Sequence, residues 1–123
     1  MARARIPIAT GVDAVAAAIE GAPDRDTLAL AVRYLLQVLS DVAPGNTLEV
    51  RVPPFGAAQV VEGPRHTRGT PPNVVEMDPV TWVGLATGSV GWDDALAEAR
   101  VVASGTRADL RDWLPLPWAT MEG

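Results

Sequence analysis

The chain contains no cysteine and no lysine, and only one histidine. Without cysteine there are no disulfides, no thiolate metal sites and no cysteine nucleophile, and the redox compartment is left open. A single histidine excludes the usual zinc and iron centres, which need several nitrogen or sulfur ligands held together. The lack of lysine, together with the absence of G-x-G-x-x-G and Walker-type loops, speaks against a nucleotide cofactor, and no cofactor of any kind is expected. No apolar run has the length needed to cross a bilayer, and the opening MARARIPIATG has none of signal-peptide length, so a cytoplasmic location without stable membrane insertion is expected. The formal charge of −5 and the scattered arginines provide no concentrated basic surface, which argues against a nucleic-acid partner.

What remains is a chain of 123 residues, 48% hydrophobic and 20% charged, a composition that suits one globular domain over residues 1 to 123. Residues 1 to 11 and 117 to 123 are expected to be flexible ends. An alanine-rich segment at 12 to 20 favours helix by intrinsic propensity. Beyond Pro23, residues Leu28, Ala31, Val32, Leu35, Leu36, Leu39 and Val42 follow the i, i+3, i+4, i+7 rule of an amphipathic helix, with Asp24 or Asp26 available as its cap. Leu48, Val50 and Val52 alternate with Glu49 and Arg51, the period of a strand with one buried face. Residues 57 to 63 suit a returning strand and 73 to 78 a third. Asp78-Pro79 starts a helix that Gly88 closes, Trp92 begins a short one with an aspartate as cap, residues 100 to 104 read as a strand, and a last helix is expected at 108 to 114. The order α-α-β-β-β-α-α-β-α predicts an α+β fold with a largely antiparallel or mixed sheet and helices over one face.

Few residues suggest chemistry. Asp93-Asp94 is the obvious carboxylate pair, but adjacent side chains at a helix start diverge, and the helix dipole already favours negative charge there, so no metal is expected. In TGSVG the residue two before Ser89 is Thr87, not the glycine that a nucleophile elbow requires. The polar loop GPRHTRGTPP brings Arg65, His66 and Arg68 together, a set able to donate paired hydrogen bonds to a carboxylate or phosphate. The bland alternative is a proline-stiffened connection whose arginines meet Glu62 and Glu76. Trp82, Trp92, Trp113 and Trp118 suit either an apolar ligand site or ordinary packing.

The ordered segments D-P-x-T-W-x-x-L-A-T-G from Asp78 and V-x-x-S-G-x-x-A-D-L from Val101 resemble the C-terminal half of sterol carrier protein domains. The stretch RVPPFGAAQVVEGPRHTRGTPPNVVEMDP at 51 to 79 is most similar to the bacterial, actinobacterial orthologue group of that family. The resemblance implies a sheet of about five strands, helices on one face, and an apolar cavity that in relatives accommodates fatty acyl chains, sterols or other lipids. It implies a non-enzymatic binding or carrier domain for an apolar or acyl ligand. Leu35, Leu39, Val75, Met77, Trp82, Leu85 and Leu96 are the candidate wall, and Arg65, His66 and Arg68 candidate contacts for a polar head group. A related domain accompanies the metal-binding helical bundle of mycothiol-dependent maleylpyruvate isomerases; that bundle and its histidines are missing here, which leaves a protein-interaction or regulatory module as the alternative. An enzyme using Arg65, His66 and Arg68 on an anionic substrate is a third reading, without a second catalytic group. Whether copies of the chain associate is open.

Overall fold

A computed structural model describes residues 4–63 and 73–119. Helix α1 (Ile8–Glu20) begins four residues before the expected position. Thr10-Gly11 reads as a poor helix start by propensity, but tertiary contact overrides propensity here. Gly11 is buried against the Tyr34 ring, and its missing side chain permits that approach. The segment before α1 is held along the next helix: Ile6 exchanges two backbone hydrogen bonds with the Gln37 amide at 2.9 and 3.0 Å, and Arg5 donates to both oxygens of Asp41.

Helix α2 (Arg25–Val42) starts where Asp24 accepts the Thr27 amide at 2.7 Å, satisfying one of the free donors of a helix start. Of its apolar stripe, Ala31, Val32, Leu35 and Leu39 are fully buried, whereas Leu28 is only partly buried and Val42 is 38% exposed. Strand β1 (Leu48–Val52) alternates as its sequence requires, with Leu48, Val50 and Val52 inward. Strand β2 (Gly56–Val60) pairs with it antiparallel, from Leu48 opposite Val60 to Val52 opposite Gly56. It ends three residues short of the expected limit because Val61 turns to φ 69, sending its N–H to the Ala43 carbonyl and receiving the Thr47 amide.

Strand β3 (Val74–Met77) pairs parallel with β1, and β4 (Val101–Ser104) pairs antiparallel with β3. The sheet order is β2-β1-β3-β4, with the helices on one side. The sheet is mixed and has four strands among the described residues. The fifth strand expected from the resemblance is a correction, and the chain itself has only four runs of strand character there. Helix α3 (Pro79–Thr87) follows its punctuation closely: Asp78 accepts the Thr81 amide at 2.7 Å, Pro79 occupies the first turn, and Gly88 closes the helix in the left-handed region at φ 95.

Helix α4 (Trp92–Ala97) is capped by Gly91 with no side-chain bond, so the aspartate cap expected there is also corrected; Asp93 instead pairs with Arg111 at 3.0 Å. The last expected helix, 108 to 114, is reduced to a 3-10 turn at Arg111–Trp113. Asp109 captures the Arg111 backbone amide with its carboxylate, and Pro115 stands too close for a helix to propagate. Beyond the turn, the Leu116 amide donates to the Ala86 carbonyl at 2.8 Å, tying the C-terminal strap to α3.

Candidate functional site

Six of the seven expected wall residues, Leu35, Leu39, Val75, Met77, Trp82 and Leu85, pack into one buried cluster between sheet and helices. Trp82 is fully enclosed there, and its indole N–H donates to the Val32 carbonyl at 3.2 Å. Leu96 stands apart on α4, 37% exposed. None of the seven lines the groove described below. Arg65, His66 and Arg68 lie outside the described residues. Of the other tryptophans, Trp92 is buried, while Trp113 and Trp118 are half-buried against the core.

An apolar cleft is lined by residues other than these seven wall residues. It is an open groove of about 460 Å³ between the α1–α2 corner and α3. Ala18, Ile19 and Leu28 form one wall and Val80, Val83 and Val90 the other. Its shape follows from local sequence. Gly21 ends α1 at φ 101, Ala22 also takes a positive φ, and Pro23 leads into the Asp24 cap, so the chain makes a sharp corner instead of one long helix. Across the groove, Gly84 lacks the Cβ that would stand 2.6 Å from a Val90 methyl, and this allows Val90, two residues after the α3 cap, to fold back over the helix. The Val90 amide donates to the Gly84 carbonyl at 3.1 Å and fixes that return.

The polar atoms at this end of the groove are directed away from it. Thr87 donates its hydroxyl to the Val83 carbonyl at 2.7 Å, and Ser89 donates to Gly84 at 3.5 Å. Serine and threonine commonly satisfy themselves on the preceding helical turn in this way, leaving an apolar outward surface. At the other end Arg100 enters the lining; its Nε donates to the hydroxyl of Thr81, a fully buried residue, at 3.2 Å. The rim residues Val80 and Ile19 are 65% and 51% exposed, both far above what core side chains show.

Thr81 and Arg100 were not among the sequence-derived site residues. The available signal was α3 itself: PVTWVGLAT is apolar on every side, so one stripe must face something other than the core. Among the described residues no three His, Asp or Glu side chains gather as a metal site, and Asp94 stays in the first turn of α4 beside the Asp93–Arg111 pair.

The bacterial SCP ortholog family matches residues 24–116. The chain belongs to that family. No curated protein matches it. The match to the SCP orthologs spans α2, the sheet, α3 and α4, and it begins after Pro23. The α1 wall of the groove, Ala18 to Pro23, therefore precedes the matched region, whereas the α3 wall and Arg100 fall within it. No helix among the described residues is long and apolar enough to cross a membrane.

Proposed function

We propose that this SCP ortholog is a non-enzymatic binding or carrier domain for an apolar, acyl-type ligand, and that the ligand lies in the groove between the α1–α2 corner and α3. The observation that carries this reading is the pair Val80 and Ile19, large aliphatic side chains left mostly exposed on opposite rims of an apolar groove. Contiguous exposed apolar surface in a folded domain marks an interaction site. A volume of about 460 Å³ falls within the range of small-molecule sites. The family label adds support for a lipid-type cargo. A carrier without catalysis is favoured by the hydroxyls of Thr87 and Ser89, which are committed to helix carbonyls and carry no neighbouring base among the described residues.

Displacement of a fluorescent fatty acid, with native mass spectrometry as a second readout, tests the proposal. Val80→Asp and Ile19→Glu place charge on the rim without touching the core, so each is expected to weaken binding by about tenfold or more while the melting temperature stays close to that of the parent. No uptake by the parent protein, or uptake indifferent to both substitutions, would refute the reading.

A further inference from the structure

We infer that the occupant of the groove is a single-chain carboxylic acid and that Arg100 determines this preference by receiving its carboxylate, an inference that rests on the carrier reading above. Arg100 is the only charged side chain among the described residues lining the groove. It is held from behind: its Nε donates to Thr81 Oγ1 at 3.2 Å, and Thr81 is fully buried on α3. One edge of the guanidinium is thereby spent on orientation. The nearest carboxylate to its outer nitrogens is Glu98, 3.8 Å from Nη1 and beyond hydrogen-bonding distance, on a side chain 62% exposed.

Three other arginines among the described residues already hold a carboxylate by hydrogen bonds. Arg5 is bonded to Asp41 at 2.7 Å and Arg111 to Asp109 at 2.9 Å, and in both the carboxylate hydrogen bond is the main reason the guanidinium pKa rises above its ordinary value. Arg51 is bonded to Glu49 at 3.2 Å in the same manner. Arg100 thus combines a fixed orientation with terminal donors that, among the described residues, have only the loose 3.8 Å ion pair to Glu98 and no hydrogen-bonded carboxylate, next to apolar walls.

Charge decides the head group. A neutral sterol or alcohol laid along Val80 and Val83 would offer the cation a single uncharged acceptor in place of its water, without the opposite charge that compensates desolvation. A carboxylate at the Nη edge returns two charge-assisted hydrogen bonds in the planar geometry a guanidinium fits. A phosphate dianion would call for a second cation, and the described lining contains none.

The test compares dodecanoic acid, dodecanol and methyl dodecanoate at neutral pH, displacing the same fluorescent probe from the parent, Arg100→Gln and Glu98→Gln. The parent is expected to prefer the acid over the alcohol by at least about tenfold, the magnitude of one charge-assisted contact. Arg100→Gln should remove that preference while leaving alcohol binding within about twofold. Glu98→Gln, which takes away the competing carboxylate and lies on the surface, should strengthen acid binding and keeps the question answerable if Arg100→Gln fails to fold. Equal binding of acid and alcohol by the parent, or a preference that survives Arg100→Gln, would overturn the inference and leave the carrier reading intact. Failure of the parent to bind any of the three lipids would remove the carrier reading itself, and this inference with it.

Discussion

A glycine inside a helix normally invites replacement: alanine gains about 1 kcal/mol of helix propensity. Gly11 should behave in the opposite way. A Cβ built there overlaps the Cγ, Cδ1 and Cε1 atoms of Tyr34, a side chain only 1% exposed on α2 and unable to swing into solvent. The two helices would have to part, and forced overpacking of this kind costs about 3 kcal/mol at the upper end of its usual range. Subtracting the propensity gain leaves a net loss of about 2 kcal/mol, which for a domain of this size lowers the melting temperature by roughly 6–10 °C. Because α1 carries Ala18 and Ile19 to the groove, lipid binding should weaken as well. Circular dichroism melts and urea titrations of Gly11→Ala, Tyr34→Ala and the double variant measure the coupling directly. With Tyr34 truncated, the alanine at 11 should turn neutral or stabilising. An increase in stability on Gly11→Ala alone would refute the close α1–α2 packing from which the argument starts.

Two further outcomes follow from the core and the caps. Trp82→Ala should cost about 3–5 kcal/mol in urea titration, since it empties a fully buried site and breaks the bond to the Val32 carbonyl; a loss below about 1 kcal/mol would mean that the space between sheet and helices is not closely filled. The Asp24 carboxyl is held below its ordinary pKa chiefly by the Thr27 backbone amide. With a depressed folded-state value, its contribution is complete above the usual carboxylate range and disappears as pH falls through the lowered value. Asp24→Asn keeps the cap but cannot titrate, so its acid melting profile should be flatter than the parent's below that range; superimposable profiles would contradict the assignment.

Much of the fold was legible because several boundaries carry local chemistry. Asp78, Pro79 and Gly88 mark α3 as Pro79–Thr87, and the alternation from Leu48 to Val52 marks β1. The start of α1 was hidden because it depends on Gly11 meeting Tyr34, residues far apart in sequence. The last helix failed for a competing local reason, the capture of the Arg111 amide by Asp109. For the site, periodicity located buried positions such as Leu35 and Trp82, but burial alone does not separate a ligand wall from a packed core. The groove is built from residues that read as punctuation, including Gly21, Pro23, Gly84 and Ser89, and its shape arises only when two distant corners face each other. Thr81 was present in the D-P-x-T-W motif, yet its partner Arg100 lies 19 residues away.

The division of the groove between two sources makes the domain separable in practice. Residues 18 to 23 form the corner between α1 and α2, and α1 buries only Gly11, Ala14 and Val15. The strands, α2, α3, α4 and the C-terminal segment with Leu110 and Leu116 supply most of the remaining core. Exchanging that corner between relatives is then a graft onto an intact scaffold, one that can retarget cargo length and shape while Arg100, anchored on the far wall, keeps its register.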